Sequence, residues 1–417
     1  MLLACAMIIL FRVPGLIFTP RFYAEEGTLY FSTAYYFSNS FDWYKGLTQI
    51  QVGYFSIWPN LANTIAANIV KLDQAPIIVT IFSFIIQILP ITIFLWGDSE
   101  FWDTNIQKII CILIYLFVPI STELWLNTIT NQFIFGLITF LILHSKANQL
   151  PSFKWLFRIL LLIGGLTGIV SCLLLPFYIL MAFVEKRKER IIQTSIIGLT
   201  TFIQLIIVFL NISQRGGISS SLFQNLLLAP FTQSTGLLIF NYASTTKIYE
   251  LYKFLMVENK PLLYLMIIVV AILHFLFLYI VYKKLPVKHI YKITLSGSYL
   301  VVLYFSLIGS LNYEYIRPGY GHRYFYTPNI ILAISIFLNI DFRNGLTNMF
   351  NSNRNKIFII LTALPLVWGS IKFLNARSID NAFCPKWKDE LKKWEKNNNY
   401  QINTCPSDFG KIILRKK

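Results

Sequence analysis

The stretch Leu262–Tyr282, LLYLMIIVVAILHFLFLYIVY, is an apolar run of 21 residues. A helix of about 20 such residues crosses the hydrocarbon core of a bilayer, and a helix satisfies its backbone hydrogen bonds within that core. Similar runs recur, and the further candidate spans are Met1–Phe18, Pro76–Trp96, Lys108–Ile120, Leu126–His144, Ile191–Leu210, Ile290–Ser310, Tyr324–Ile340 and Ile357–Phe373. The sequence therefore predicts an all-α protein, a polytopic membrane helix bundle.

The stretch Phe157–Val184 is too long for one span and is interrupted by Gly164, Gly165 and Gly168. We interpret it as two short helices, with a re-entrant hairpin as the alternative. The prediction is therefore about eleven spans, or nine spans and one re-entrant element.

The composition is also typical of a membrane protein. Of the 417 residues, 56% are hydrophobic and 13% are charged, whereas a soluble globular protein carries about 25% charged residues. The net charge of +17 does not indicate nucleic-acid binding, because the basic residues are dispersed among apolar segments instead of forming one polar face.

Four groups of basic residues in the loops predict the orientation, since such loops stay in the cytoplasm. The groups are Lys186, Arg187, Lys188 and Arg190; Lys283, Lys284, Lys288 and Lys292; Arg343, Arg354 and Lys356; and Lys146, Lys154 and Arg158. All four fall on one side under the span assignment, which places the N-terminus inside and the C-terminus outside. The acidic loop with Asp98, Glu100 and Asp103 and the lysine-rich tail disagree with this rule.

The predicted division is a transmembrane bundle over residues 1–374 and a polar external tail over 375–417. The external loops of the bundle are predicted at about 19–75, 121–127, 211–260 and 312–323. Within the first of them, Leu61–Leu72 has the pattern of a helix that lies in the membrane interface.

Glu25 and Glu26 follow the first span in an aromatic context, FYAEEGTLYF over 22–31. Aromatic neighbours partly desolvate a carboxylate and raise its basicity. Arg12 lies inside the predicted first span, where a cation usually marks function or a buried partner. We therefore predict a functional carboxylate here, against the alternative of an ordinary solvated acidic turn.

Arg317, His322 and Arg323 form a second candidate group in a short external loop with nearby tyrosines. Arginine is a natural bidentate partner of a phosphate oxygen. The group is therefore predicted to bind phosphate, and the alternative is anchoring to lipid headgroups.

Glu123, Asn127 and Asn131 form a third candidate group at the outer mouth of the predicted span Leu126–His144. Asn127 and Asn131 are four residues apart and so share a helix face. Binding of sugar hydroxyls and capping of the helix are both open.

Cys384 and Cys405 lie in the polar tail, and outside the cytoplasm they would form a disulfide. The chain has no HExxH, no CxxC and no phosphate-binding glycine loop, and its 4 histidines are not spaced for a metal site.

The arrangement of one span, a long external loop that opens with an acidic pair, and an interfacial helix resembles the GT-C glycosyltransferases. Within that class the segment Ala24–Gly27, the cysteine-bearing tail and the terminal Lys416–Lys417 resemble the phage-borne, serotype-converting O-antigen glucosyltransferases. The acidic motif of GT-C enzymes usually contains Asp, whereas this chain has Glu25–Glu26, so which carboxylate is the base is open.

The resemblance implies an inverting hexosyltransferase of the bacterial inner membrane. Its donor would be undecaprenyl-phosphate-glucose and its acceptor a sugar of the lipid-linked O-antigen, on the periplasmic face. Glu25 or Glu26 would be the base, while Arg12, Arg317, His322 and Arg323 would hold the donor phosphate. Glu123, Asn127 and Asn131 would bind the acceptor. No cofactor is implied, and dependence on a divalent metal is open.

Two other classes use related substrates. A lipid-linked oligosaccharide flippase or transporter would place its ionisable residues near the bilayer midplane, whereas here they cluster in external loops. An O-antigen polymerase or ligase would share the compartment and would differ mainly in its donor.

The orientation is tested by reporter fusions. A reporter fused after Lys417 should behave as exported, and one fused after Lys188 should behave as cytoplasmic, because Lys188 belongs to a basic loop. A cytoplasmic signal from the C-terminal fusion would contradict the predicted topology.

Overall fold

The structure, a computed structural model, describes residues 1–38, 41–118, 123–212, 222–310, 313–341, 352–375, 384–397, 399–405 and 410–414. Most of these residues are helical. The α-helices are α1 (Leu2–Leu10), α2 (Gly15–Phe18), α3 (Ser32–Phe37), α4 (Ile57–Asn68), α5 (Ala75–Trp96), α6 (Asn105–Phe117), α7 (Asn131–His144), α8 (Pro151–Gly165), α9 (Leu175–Glu185), α10 (Lys188–Leu210), α11 (Leu222–Pro230), α12 (Gly236–Glu258), α13 (Lys260–Lys284), α14 (His289–Ser310), α15 (His322–Phe337), α16 (Asn353–Asn375) and α17 (Trp387–Lys396).

Shorter elements join the helices. Two π-helical segments cover Glu26–Phe31 and Phe231–Thr235, and 3₁₀ turns cover Trp43–Gly46, Cys172–Leu174 and Tyr313–Ile316. Two antiparallel hairpins pair β1 (Ile50–Gln51) with β2 (Tyr54–Phe55) and β3 (Ile402–Asn403) with β4 (Lys411–Ile412).

Five helices, α5, α10, α13, α14 and α16, are long and apolar enough to cross a membrane. Each coincides with a predicted span. Their surfaces remain largely apolar outside the bundle: α13, for example, exposes Leu262, Leu265 and Ile268. Because water would not solvate such surfaces, the fold agrees with the predicted membrane helix bundle.

The predicted first span, Met1–Phe18, is wrong as a continuous helix. Helix α1 ends at Leu10 and α2 begins at Gly15, so Arg12 lies in the break between them. Pro14 explains the break, because proline supplies no N–H and its ring clashes with the carbonyl four residues earlier.

The predicted external loop over 211–260 contains helices in its described part, namely α11, the π-helical segment Phe231–Thr235 and α12. Their apolar side chains, including Leu228 and Tyr252, pack in a small core against Leu263 and Ile267 of α13. Among the described residues of the segment, no helix is both long and uniformly apolar, so hydropathy alone predicts no span there.

The described basic groups meet at one end of the bundle, the basic end. Arg158 pairs with Glu189, and the guanidinium of Arg190 donates to the carbonyls of Ile142 and Ser145. Arg354 similarly donates to the carbonyl of Lys284, while Phe101 packs against both His144 and Tyr291. The backbone N–H of Lys146 donates to the carbonyl of Asp98, so the acidic loop lies at this end too. Arg343 lies outside the described residues.

The stretch Phe157–Val184 forms two helices, as we interpreted it. Helix α8 starts near the basic end and reaches the opposite end, where Leu166 accepts a hydrogen bond from Ile57 and Gly168 donates to Phe55. Helix α9 then returns, and Glu185 pairs with Arg190. The two helices therefore connect both ends of the bundle.

The opposite end, here called the loop–tail end, carries the first loop and the C-terminal tail. Trp387 of α17 packs edge-on against Phe22 and Phe31, and its indole N–H donates to the carbonyl of Leu72 at 2.8 Å. A disulfide joins Cys384 to Cys405, with their Cα atoms 5.1 Å apart. The tail is thus docked on the first loop through a shared aromatic core.

This docking makes Gly27 a sensitive position. A Cβ atom there would lie 2.5 Å from Cδ1 of Ile412, so Gly27→Ala should cost about 1–3 kcal/mol and lower the Tm. Replacing Ile412 by Val removes that Cδ1 atom, and the double variant should regain part of the loss. Gly198→Ala is the control, because its Cβ would find no atom nearer than 3.9 Å. Equal Tm values for Gly27→Ala and Gly198→Ala would contradict the docked tail.

Candidate active site

The tail also fixes the backbone at the acidic pair. The N–H of Ala24 donates to the carbonyl of Cys405 at 2.8 Å. Ala24 is fully buried and has φ of +47°, a conformation that non-glycine residues adopt only when their surroundings impose it. The chain turns there into the π-helical segment that starts at Glu26. The direction of both glutamates therefore depends on a contact with residue 405.

Glu26 lies inside the protein, with 3% of its surface exposed. Its Oε1 accepts hydrogen bonds from the backbone N–H of Thr128 at 2.7 Å and from the Thr128 hydroxyl at 2.6 Å. Burial raises the pKa of Glu26 to about 7, although the Thr128 bonds favour the charged form. Glu26 thereby links the first loop to the loop that precedes α7.

Glu25 has a different environment. It is half-buried, and its Oε2 is enclosed without a hydrogen-bond partner among the described residues. The charge of Glu25 acts electrostatically on Glu123, Arg323 and Tyr23. Glu25 therefore lies in a mixed polar and aromatic setting, with one oxygen unpaired among the described residues.

Glu123 and Arg323 complete the cluster. Burial and the neighbouring charge of Glu25 raise the pKa of Glu123, while Arg323 opposes that rise. Burial disfavours the charged guanidinium of Arg323, but Tyr324, Glu123 and Glu25 outweigh it and raise the pKa of Arg323. The structure therefore brings together residues from three predicted groups, separated by about a hundred and two hundred positions in the chain.

Arg317 and His322 lie on the same external segment as Arg323 but differ from it. The side chain of Arg317 is exposed, and His322 is half-buried at the start of α15. The segment is held by Gln233, whose amide donates to the carbonyls of Tyr315, Arg317 and Tyr320. Arg323 interacts electrostatically with Glu123 and Glu25.

Asn127 and Asn131 are buried and serve the protein's own hydrogen-bond network. Oδ1 of Asn127 accepts from the backbone N–H of Thr130 at 3.2 Å and from its hydroxyl at 2.7 Å. Oδ1 of Asn131 accepts from the hydroxyl of Ser83 at 3.0 Å. With 1% and 0% of their surfaces exposed, neither amide is presented to a ligand in this conformation. These contacts favour a role of both residues in the fold over binding of sugar hydroxyls.

Arg12 is surrounded by three aromatic rings. Its guanidinium carbon lies 4.5 Å from the ring centre of Trp125, 5.1 Å from that of Phe373 and 5.8 Å from that of Phe117. Its Nε and Nη2 atoms are buried without hydrogen-bond partners among the described residues. Cation–π contacts therefore carry much of its stabilisation.

Two functional neighbours, Thr128 and Gln233, were missed by the sequence analysis. A threonine in a loop looks ordinary, and its contact with Glu26 spans 102 positions. Gln233 had a signal, because the run TQST over 232–235 is polar between apolar segments and is buried entirely. Within the described ranges, no three His, Cys, Asp or Glu side chains are grouped to hold a metal ion.

The pKa of Glu26 gives a pH dependence of stability. A carboxyl whose pKa is raised from 4.5 to about 7 binds its proton more tightly in the folded state, so stability falls as pH rises from about 4.5 to 7. The loss is roughly 3 kcal/mol at 1.4 kcal/mol per pKa unit. Glu26→Gln should remove this slope, measured as Tm against pH for the purified protein in nanodiscs. An unchanged slope in Glu26→Gln would assign the titration to another group.

Comparisons with protein-family models, with curated proteins and with solved structures found no match for this chain. The feature of the site most relevant to function is the electrostatic interaction of Arg323 with Glu25 and Glu123.

Proposed function

We propose that this protein is a GT-C-type membrane glycosyltransferase that moves a hexosyl group from an undecaprenyl-phosphate-linked donor to a lipid-linked O-antigen sugar. The observation that carries the proposal is the cluster of Glu25, Glu123 and Arg323 at the loop–tail end. A half-buried carboxylate beside a cation provides both a base and a phosphate partner, the two groups that transfer from a lipid phosphate requires.

The orientation of the bundle supports the same function. The basic end gathers the described members of the four basic groups, and the positive-inside rule assigns such an end to the cytoplasm. The acidic cluster would then face the periplasm, together with the disulfide of the tail. Lipid-linked sugars of the O-antigen are available on that face of the bacterial inner membrane.

Glu25 is the better candidate for the base. Both hydrogen bonds from Thr128 go to Oε1 of Glu26, whose side chain is sealed inside the protein. Glu25 has an unused oxygen beside the polar cluster. Glu26 would therefore act as a positioning residue that holds the loop around Glu25.

The proposed step is an inverting displacement. Glu25 takes the proton of an acceptor hydroxyl, and the hydroxyl oxygen forms a new bond to the anomeric carbon of the donor sugar. The bond between that carbon and the phosphate oxygen breaks, and undecaprenyl phosphate leaves with the electron pair. Arg323 neutralises the charge that develops on the leaving phosphate, while Arg12 and the exposed Arg317 would contribute at greater distance.

Substitutions test this assignment of roles. Glu25→Gln keeps the size of the side chain but removes the base, so transfer should fall by about 10²–10⁴-fold. Glu26→Gln should retain most transfer, because an amide oxygen still accepts the bonds from Thr128. Arg323→Ala should raise the KM for the donor and lower turnover. The assay is transfer from purified undecaprenyl-phosphate-glucose.

Glu258→Gln is the matched control, since Glu258 is an exposed carboxylate where α12 ends, before α13 descends to the basic end. Full transfer by Glu25→Gln at equal protein level would place the base elsewhere. Activity only with a diphosphate-linked oligosaccharide would favour a polymerase, and translocation without transfer would favour a flippase.

A further inference from the structure

A surface cavity of about 310 Å³ lies between α3 and the C-terminal tail. Its lining consists of Ser32, Thr33, Tyr35 and Tyr36 from α3 and Ile413 from the tail, beside strand β4. The tail therefore supplies one wall, and the cavity exists only while the tail is docked. We call it the α3–tail cleft.

The lining of the cleft selects a neutral ligand with both polar and apolar faces. None of its five residues is charged, so nothing in it matches a phosphate or a carboxylate. The rings of Tyr35 and Tyr36 offer flat apolar surfaces with a polar tip, and Ser32 and Thr33 offer hydroxyls. The Ser32 hydroxyl donates to the carbonyl of Gly27 at 2.9 Å, which leaves its oxygen lone pairs to accept from a ligand.

A sugar ring has this combination of properties. Its edge carries hydroxyls that both donate and accept hydrogen bonds, while its C–H faces are apolar and stack on aromatic rings. A few polar groups set in a mainly aromatic or apolar lining is the usual composition of a small-molecule site.

The cleft lies on the same helical segment as the acidic pair. The π-helical segment Glu26–Phe31 continues directly into α3, so Ser32 is seven residues from Glu25. The Ser32 hydroxyl donates to the carbonyl of Gly27, so the cleft adjoins the segment that carries the acidic pair. An acceptor longer than one sugar ring, bound at Glu25, would extend toward the cleft.

The tail gives the cleft a polar, water-facing border on one side. Helix α17 buries Trp387 and Leu391 against the first loop and turns its lysines outward, and the exposed ones are Lys388, Lys392, Lys393 and Lys396. Ile413 itself is 60% exposed beside this polar surface.

We propose that the α3–tail cleft is a subsite for a neutral oligosaccharide, the acceptor chain, at sugar units next to the one that reacts. This inference rests on the proposed glycosyltransferase function. The acceptor would follow the helical segment from Glu25 to Tyr36, with the reacting hydroxyl at Glu25 and a neighbouring ring in the cleft.

The test uses the full-length protein in nanodiscs and a defined probe, the O-polysaccharide released by mild acid from the lipopolysaccharide of the strain that carries the gene. Binding is measured by saturation-transfer NMR, transfer by the KM for this acceptor, and donor turnover by hydrolysis of undecaprenyl-phosphate-glucose without acceptor. Tyr36→Ala should weaken acceptor binding about tenfold and leave donor hydrolysis unchanged. Tyr36→Phe should bind like the unmodified protein, because the ring is retained.

Tyr44→Ala is the matched control, because Tyr44 is a tyrosine of similar exposure outside the cleft, 49% against 61% for Tyr36. Equal loss in both alanine variants, or transfer without any effect of Tyr36→Ala, would overturn the cleft while the glycosyltransferase function stands. Binding that depends on Tyr36 without transfer or donor hydrolysis would support a saccharide site and reject glycosyl transfer. Absence of both binding and transfer would reject both.

Discussion

The hydrogen bonds from Thr128 to the buried carboxylate of Glu26 hold the site together. They join the first loop to the loop before α7, and no other described side chain makes two hydrogen bonds to Glu26. A buried carboxylate is costly unless donors face it, so the arrangement is stable only when both loops are in place. Because Glu25 directly precedes Glu26 in the chain, the hydrogen bonds from Thr128 also restrict where the Glu25 carboxylate lies.

The tail acts on the first loop from the other side. The carbonyl of Cys405 accepts a hydrogen bond from Ala24, and the ring of Trp387 packs against Phe22. The side chain of Ile412 lies against Gly27. Glu390 orders the tail internally, accepting from the hydroxyl of Tyr400 at 2.6 Å and from the backbone N–H of Asn403 at 2.9 Å. Glu25 and Glu26 thus lie between the loop before α7 and the described part of the tail. Contacts on both sides limit the conformations of both glutamates.

The charged groups at the two ends of the bundle have different kinds of partners. The basic end pairs its arginines with carboxylates and backbone carbonyls, as Arg158 and Arg190 do. The loop–tail end instead leaves Glu25, Glu123 and Arg323 as a group whose charges influence each other. Ionisable groups clustered in this way are frequent where chemistry occurs.

The class of the fold could be predicted from the amino-acid sequence. Apolar length is a local property, so the spans at α5, α10, α13, α14 and α16 could be predicted within a few residues. Local hydropathy does not reveal where a proline interrupts a helix, as at Met1–Phe18, or where a predicted loop contains helices, as in the described part of 211–260. The candidate carboxylates and Arg323 were also identifiable, since charged residues in aromatic surroundings are recognisable within a few positions.

Which of those residues contact each other depends on the tertiary structure. The partner of Glu26 is Thr128, the charges near Glu25 come from positions 123 and 323, and the backbone at Ala24 is held by Cys405. These contacts join segments about a hundred or more residues apart, and nothing in the local pattern of a threonine or a cysteine indicates them. The burial of Asn127 and Asn131 was equally hidden, because the spacing of two amides is the same whether they face a ligand or the core. Spacing along a helix determines which face a side chain occupies, but packing against other segments determines what that face meets.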